Sequence, residues 1–258
     1  MELFDTHAHL ADPALFDQLP DVLERAQRAG VRRMLCVGTT AESSQRSVEL
    51  AHRYPNVFAS VGIHPNYAHQ ATHQDWETIL KMVEDERVVA LGETGLDRYW
   101  DDCPWEIQQE NFQRHWKLSQ ATGKPVVIHS RNCDAEMILA LRQASENGKL
   151  HGVMHSFAGS WETAQIGIEL GLYISFAGMV TYKKSEALRE IAARIPEDRL
   201  LIETDAPYLS PEPKRSVRPN EPALVVHTAG CIAKCREIGL SELGQLTSEN
   251  AMRLFGIH

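Results

Sequence analysis

Eight short apolar runs, rich in β-branched residues, recur along this chain and alternate with longer segments of mixed polarity. The runs occupy residues 3–9, 32–38, 56–64, 87–95, 124–130, 152–157, 171–178 and 199–206. Because their apolar character is nearly continuous, they are typical of parallel strands that helices cover on their faces. This alternation restricts the chain to the α/β class.

Several segments between the runs carry apolar residues at helical spacing. Within residues 105–122, for example, Phe112 and Trp116 are four positions apart, as on one face of a helix. The same pattern occurs at 20–29, 134–144, 161–170 and 184–195, and closing helices are expected around 221–237 and 241–254.

Eight strands alternating with helices predict a closed (β/α)8 barrel of the TIM type. The 258 residues agree with the usual length of such barrels, about 250 residues. No linker or low-complexity tract divides the chain, so residues 1–258 are predicted to form a single domain. An open doubly wound sheet is the alternative, but it usually has a glycine-rich loop after its first strand, and "FDTHAHLADP" contains no glycine.

Composition excludes several classes of protein. No apolar run approaches the roughly 20 residues of a membrane span, and the N-terminus has no secretory pattern. A cytoplasmic, monomeric protein without an obligate protein partner is therefore expected. Five cysteines without framework spacing are expected to be free thiols. The net charge of −9 argues against non-specific adhesion to nucleic acid but leaves room for a local basic site.

Two histidines at the end of the first run need an explanation. His7 and His9 are two positions apart, so a strand places them on the same face, which in a barrel points inward. Polar groups that are buried without partners cost about 1–3 kcal/mol each. A bound cation, which accepts the lone pairs of both imidazoles, removes that cost.

Other runs also end in polar residues, namely Glu93, His129, His155, Glu203 and Asp205. In a barrel the carboxyl ends of all strands converge at one mouth. Glu203 lies one layer deeper on its strand. The remaining four imidazoles and two carboxylates suit borderline divalent cations such as Zn²⁺ or Mn²⁺. They suffice for two ions, as in binuclear hydrolytic sites.

The predicted ligands divide into two groups that share Glu93. One ion is assigned to His7, His9, Glu93 and Asp205, and the other to Glu93, His129 and His155. Asp205, Glu203 and Glu93 are the candidate catalytic carboxylates. For Glu203 an alternative stays open, because a carboxylate one layer deeper on the strand can instead fix the tautomer of a histidine ligand.

At this point the chain resembles a known family. The motifs "FDTHAHL", "GIHP", "GETGLD", "KPVVIHSR", "MHSF", "LLIETDAPYLSP" and "RPNEP" occur in the order typical of TatD-type metal-dependent hydrolases, a branch of the amidohydrolase superfamily. The resemblance extends from Phe4 to the closing "NAMRLFGI". It implies a TIM-like barrel, a divalent metal site with the six ligands named above, and nuclease activity on DNA of the 3′→5′ exonuclease type.

The chain departs from the family pattern at two places. Ala11 stands where the first motif usually has Asp or Asn, and Asn132 and Cys133 follow Arg131 where Asp-Ala is usual. Neither change removes a metal ligand. Strand four offers no lysine that could be carboxylated, which by resemblance argues against a dihydroorotase-like or urease-like enzyme.

Five residues are candidates for substrate contact because they follow strands at the mouth, namely His64, Arg131, Lys214, Arg215 and Arg218. A guanidinium at such a position can bind a phosphate with two hydrogen bonds. Lys214, Arg215 and Arg218 lie in the proline-rich segment 206–222, which is expected to form a loop over the barrel.

Three functions stay open on the sequence. The first is a deoxyribonuclease that uses one or two of Zn²⁺, Mg²⁺ or Mn²⁺ and takes DNA single strands or 3′ ends as substrate. The second is an ester hydrolase, such as a D-aminoacyl-tRNA deacylase. The third is a non-enzymatic barrel that binds metal structurally or serves as a partner-binding scaffold, and an open coordination position argues against it.

Overall fold

The structure, a computed structural model, describes residues 2–257, without the side chain of Asn147. Its strands follow one another in spatial order around an eight-stranded parallel sheet. The strands are β1 (Leu3–Ala8), β2 (Val31–Val37), β3 (Val57–Val61), β4 (Val88–Asp97), β5 (Val126–Arg131), β6 (Gly152–Met154), β7 (Tyr173–Phe176) and β8 (Leu200–Ile202). The predicted (β/α)8 barrel is confirmed.

Helices connect successive strands and cover the outside of the sheet. They are α1 (Pro13–Phe16), α2 (Leu19–Arg28), α3 (Ala41–Arg53), α4 (His73–Met82), α5 (Trp105–Thr122), α6 (Asp134–Ala144), α7 (Trp161–Glu169), α8 (Glu186–Arg194), α9 (Val225–Cys235) and α10 (Leu240–Phe255). Short 3₁₀ turns occupy Pro65–Tyr67, Ser145–Asn147, Gly178–Thr181, Glu197–Arg199 and Pro222–Leu224.

Apart from the single turn α1, two helices, α3 and α4, were not predicted from apolar spacing. The buried face of α3 includes Ser44 and Ser47, so its apolar period is weak in the sequence. Both helices instead begin with a capping box, in which Thr40 and Thr72 accept hydrogen bonds from the backbone of the third helical residue. Such a cap satisfies N–H groups that a helix start leaves without a partner.

The barrel closes between β1 and the segment that follows β8. Ala8 and Ala206 form an isolated parallel bridge. Asp205 N donates to the carbonyl oxygen of His7 at 2.9 Å, and His9 N donates to that of Ala206 at 2.7 Å. The backbones of three metal-ligand candidates therefore form the seam of the barrel.

One end of the barrel is closed by apolar side chains. A buried cluster takes residues from strands around the sheet, including Phe4 of β1 and Tyr173 of β7, and Phe255 of α10 packs on it. The rings of Phe4 and Phe255 have their centroids 5.8 Å apart. The apolar end lies near the start of β1, which leaves the carboxyl ends of the strands for polar residues.

Several predicted strands extended too far. The apolar runs continue to residues 64, 157, 178 and 206, but β3 ends at Val61, β6 at Met154, β7 at Phe176 and β8 at Ile202. Beyond those points Ser156 and Asp205 have left-handed backbones, with φ angles of 44° and 55°. Such angles are uncommon for residues other than glycine and are concentrated at functional sites.

Among the described residues, no helix combines the length and the apolar character needed to cross a bilayer.

Candidate metal centre

The carboxyl ends of five strands bring six polar side chains together. They are His7, His9, Glu93, His129, His155 and Asp205, and they are buried or nearly so. These are the six residues predicted as ligands, and they are up to 198 positions apart in the sequence.

The first group lies around one oxygen of Glu93. His7 Nε2 is 3.2 Å from His9 Nε2 and 3.4 Å from Glu93 Oε2. Asp205 Oδ1 is 3.6 Å from the same nitrogen of His7 and 3.4 Å from His9 Nε2. Donors around a tetrahedral ion with bonds of about 2.0–2.1 Å lie about 3.3–3.4 Å apart, so this group fits one small cation.

The second group lies around the other oxygen of Glu93. His155 Nε2 is 2.8 Å from Glu93 Oε1, and His129 Nδ1 is 3.0 Å from it. Because the two oxygens of Glu93 face different sets of imidazoles, this carboxylate is placed to be shared by two ions. Three sets have metal-binding spacing: His7–His9–Asp205 on one side, His64–Glu93–His129 on the other, and His7–Glu93–His155 between them.

Hydrogen bonds on the far side of three imidazoles fix which nitrogen faces the centre. His9 Nδ1 donates to the carbonyl oxygen of Val37 at 3.3 Å. His155 Nδ1 donates to Glu203 Oε1 at 3.2 Å. In His129 the nitrogens are reversed, and Nε2 donates to Asp97 Oδ2 at 2.8 Å.

These bonds leave lone pairs on the nitrogens that face Glu93. Without a cation, neutral His129 and His155 rings would direct lone pairs at a carboxylate oxygen about 3 Å away, a repulsion that only protonation of the rings would relieve. A divalent ion between them turns this repulsion into coordination. The chemistry of the donor set therefore fits a metal centre.

Burial and charge act on the two carboxylates of the centre. Burial favours the protonated form of Glu93, but the surrounding imidazoles, above all His155, outweigh burial and hold the pKa of Glu93 well below its usual value. Burial also acts on Asp205, and its hydrogen bond with His9 outweighs burial, so its pKa is lowered. Both side chains are therefore ionised at neutral pH, which is the form that binds a cation.

Glu203 lies beneath the centre and is fully buried. Its Oε1 accepts from His155 Nδ1 and, at 2.6 Å, from the backbone N–H of Ser156. These contacts support the alternative in which Glu203 orients a histidine over a role in contact with substrate.

His64 was predicted as a substrate contact, and it lies at the edge of the same cluster. Its Nδ1 accepts a hydrogen bond from Asn66 N at 3.1 Å, so the proton of a neutral ring is on Nε2. That nitrogen is 3.4 Å from Glu93 Oε1. His64 therefore presents an N–H donor to the centre, and such a donor can bind an anionic oxygen.

Arg131 lies at the end of β5 and is exposed. Its guanidinium does not point into the cluster but lies over the ring of Tyr99, with Cζ 3.6 Å from the ring centroid. The guanidinium remains on the same face of the barrel as the metal centre.

Lys214, Arg215 and Arg218 are exposed on the loop after β8. Arg218 Nη1 donates to the carbonyl oxygen of Arg215 at 2.9 Å, and the Arg215 guanidinium lies 3.5 Å over the ring of Tyr182. No hydrogen bond or ion pair within residues 2–257 joins these three cations to the metal cluster. They border the mouth, away from its centre.

Asn220, within the "RPNEP" motif, holds the loop after β8 in place. Its side-chain amide donates to the carbonyl oxygens of Thr204 at 3.0 Å and Tyr208 at 2.5 Å, and its backbone N–H donates to that of Pro207 at 3.0 Å. The fully buried Asn220 thus ties the loop to the residues on either side of Asp205.

Two acids of the centre were not identified from the sequence. Asp97 contacts His129, and its distance of four residues from Glu93 on a strand was a signal that both share a face. Asp5 is fully buried next to the seam and accepts from the backbone N–H and the hydroxyl of Thr204. Burial raises the pKa of Asp5 to about 8, against the opposing effect of those hydrogen bonds.

Comparison with known proteins agrees with this geometry. Residues 4–256 match the family described as TatD related DNase. The chain is 39% identical over 256 residues to the uncharacterized metal-dependent hydrolase YabD of Bacillus subtilis, covering 99% of this chain and 100% of that protein. It is 35% identical over 260 residues to the 3'-5' ssDNA/RNA exonuclease TatD of Escherichia fergusonii, covering 99% of each.

A solved structure extends the comparison to three dimensions. The crystal structure of YJJV, a TatD homolog from Escherichia coli K12, superimposes with a TM-score of 0.92 at 30% identity, covering 99% of this chain and 98% of that one. Sequence, fold and centre thus agree, and the chain belongs to the TatD-related DNase family of metal-dependent hydrolases.

Proposed function

We propose that this protein is a metal-dependent exonuclease that removes nucleotides from the 3′ end of single-stranded DNA. The observation that carries the proposal is the position of Glu93, whose two oxygens face separate groups of imidazoles at 2.8–3.4 Å. Such a shared carboxylate suits two divalent ions, for which Zn²⁺, Mg²⁺ and Mn²⁺ are the candidates. The similarity to the Escherichia fergusonii 3'-5' ssDNA/RNA exonuclease supports the choice of bond and polarity.

Divalent ions supply two things to phosphodiester hydrolysis, a nucleophile near neutral pH and compensation of the charge that develops on phosphorus oxygens. His7, His9, Glu93 and Asp205 would hold one ion, and Glu93, His129 and His155 the other. Glu203 keeps the Nε2 lone pair of His155 directed at the centre through its contact with Nδ1.

Asp205 and His64 are the residues proposed to act on the reactants. Asp205 is ionised, and 13% of its side-chain surface remains exposed at the mouth, so it can accept a proton from the attacking water. The Nε2–H of His64 can donate to a phosphate oxygen.

The cations at the rim would bind the phosphates of the strand. Lys214, Arg215 and Arg218 are exposed on one loop of a chain whose net charge is −9. Because the net charge of the chain repels polyanions, this local positive charge favours a strand that is bound across the mouth.

The test is cleavage of a 5′-labelled single-stranded oligonucleotide. We expect a ladder of shortened products that EDTA abolishes and that Zn²⁺, Mg²⁺ or Mn²⁺ restores. His129→Ala and Asp205→Asn should each reduce the rate by a factor of about 100 or more. Glu77→Gln, on the exposed surface of α4, is the matched control.

Two results would contradict the proposal. One is cleavage that survives both substitutions. The other is a metal-replete protein that leaves the oligonucleotide intact but releases the amino acid from a D-aminoacyl-tRNA, which would favour ester hydrolysis.

A further inference from the structure

An exposed aromatic pair follows β4 at the mouth of the barrel. Tyr99 is 52% exposed and Trp100 is 49% exposed, and their rings meet edge to face with centroids 4.9 Å apart. The guanidinium of Arg131 lies 3.6 Å over Tyr99 and 6.0 Å from the centroid of Trp100. We call Tyr99, Trp100 and Arg131 the aromatic platform.

The aromatic platform is fixed relative to the metal centre by one side chain. Asp97 Oδ1 accepts hydrogen bonds from the backbone N–H groups of Tyr99 at 2.7 Å and Trp100 at 3.1 Å. Asp97 Oδ2 accepts from His129 at 2.8 Å. In addition, Asp97 of β4 pairs with Arg131 of β5 in the sheet register. Both aromatic residues are therefore bonded to a residue that also contacts a metal-ligand candidate, and Arg131 lies beside that residue in the sheet.

The distribution of exposed aromatic residues supports a role in binding. Within residues 2–257, every large aromatic side chain with high exposure lies between the carboxyl end of a strand and the next long helix. These residues are Phe16, Tyr67, Tyr99, Trp100 and Tyr208. Of the exposed aliphatic residues, Ile107 and Leu139 lie on the outer helices α5 and α6, and Val217 lies on the loop after β8.

We propose that the aromatic platform binds an unpaired nucleobase of the substrate strand by stacking. The aromatic platform lies beside a centre that would bind phosphodiesters. Its rings present flat surfaces to the bases of a nucleic-acid strand, and its guanidinium presents positive charge. A base inside a duplex is covered on both faces by its neighbours, so it cannot use such a surface. The platform would therefore make the enzyme prefer single strands.

This inference rests on the proposed nuclease function, but binding can test it separately from cleavage. The probes are two phosphorothioate oligothymidylates, one intact and one with abasic sites near the 3′ end, because phosphorothioate linkages slow hydrolysis. Fluorescence anisotropy with the metal-loaded protein gives Kd for each. We expect the wild type to bind the intact probe about tenfold more tightly than the abasic probe.

The double variant Tyr99→Ala, Trp100→Ala should lose this preference, with similar Kd values for both probes. Leu139→Ser, also at an exposed apolar residue, should keep it. Thermal unfolding of each variant controls for misfolding.

A double variant that retains the tenfold preference overturns the inference. The inference is also overturned if the wild type sediments as a dimer and the double variant, with its preference unchanged, sediments as a monomer. The platform would then be an interface between two copies of the chain. If the wild type cleaves no oligonucleotide but still binds the intact probe more tightly than the abasic probe, only the proposed function is contradicted.

Discussion

His129 Nε2 donates a hydrogen bond to Asp97 Oδ2 at 2.8 Å, and this contact decides which nitrogen of His129 faces the metal centre. The fully buried Asp97 is therefore a positioning residue for a ligand candidate. Burial works against its ionised form, but the hydrogen bond and the charge of His129 outweigh burial and lower the pKa of Asp97 to about 2.

Replacing Asp97 by asparagine should weaken metal binding. The neutral amide holds the His129 N–H less strongly than a carboxylate does, so the ring loses basicity and orientation. We expect the metal affinity to fall about 10–100-fold. Competition with a chromophoric chelator measures it.

Asp85→Asn is the matched control for this substitution, because Asp85 also pairs with a histidine, His52, at 2.8 Å but on the exposed surface. Equal metal affinities for the two variants would show that His129 does not need Asp97.

Substitution of Glu93 by glutamine should reduce the number of bound ions. The carboxylate faces both groups of imidazoles, whereas a neutral amide cannot compensate two cations. We expect the metal content per chain to fall by at least half, as measured by elemental mass spectrometry after gel filtration. Glu203→Gln should keep the metal content at saturating ion, because Glu203 contacts only the far side of His155 within the cluster. An unchanged content in Glu93→Gln would contradict the shared position.

Removal of metal should destabilise the fold. An ion that binds only the folded state, at a free concentration 100-fold above Kd, adds about 2.7 kcal/mol to the free energy of unfolding. Thermal melts with EDTA and with added Zn²⁺ or Mn²⁺ should therefore differ by several degrees. Glu93→Gln should show a smaller difference, and equal shifts in both proteins would place the stabilising ion elsewhere.

Acid should destabilise the protein through His115, a core residue behind the centre. His115 Nδ1 donates to the carbonyl oxygen of Asn111 at 2.8 Å, and Nε2 accepts from Ile63 N at 3.2 Å. Burial lowers its pKa from 6.5 to about 4. The unfolded chain therefore binds the proton first as pH falls below about 6.5, and the free energy of unfolding falls with it.

The contribution of His115 should approach about 1.4 kcal/mol per pH unit between its two pKa values. Urea titrations in EDTA at several pH values between 7 and 5 measure the slope. His115→Gln should make the slope shallower, and an unchanged slope would assign the acid sensitivity to other histidines.

A methyl group at Gly95 should disturb the centre through the backbone. Gly95 has a φ of 142°, and its neighbour in the register is His129 of β5. An added Cβ would collide with the carbonyl oxygen of His129. Gly95→Ala should therefore cost at least about 1–3 kcal/mol of stability and lower the metal affinity.

Gly230→Ala is the control for this change, because an added Cβ there meets no neighbouring atom. Within α9 it should raise stability by up to about 1 kcal/mol. Melts and chelator competition distinguish the two variants.

The barrel and the convergence of six polar residues at its mouth could be predicted from the sequence for one physical reason. Apolar runs mark buried strands, and a polar residue at the end of such a run must face the mouth, as His129 does at the end of β5. Asp97 was missed although its even spacing from Glu93 indicates a shared face, whereas Asp5 was missed because its partner, Thr204, is distant in the sequence. Local patterns cannot reveal a hydrogen bond of this kind.

Residues at the seam limit when the centre can form. His7 and His9 come from the first strand, and Asp205 follows the last one, so an ion bound among them links the two ends of the β-sheet. Like a covalent cross-link across nearly 200 residues, it restricts the freedom of the chain. A nascent chain that has not yet completed its eighth strand lacks this link, and tight loading of the ion therefore marks a chain that has been synthesised and folded past Asp205.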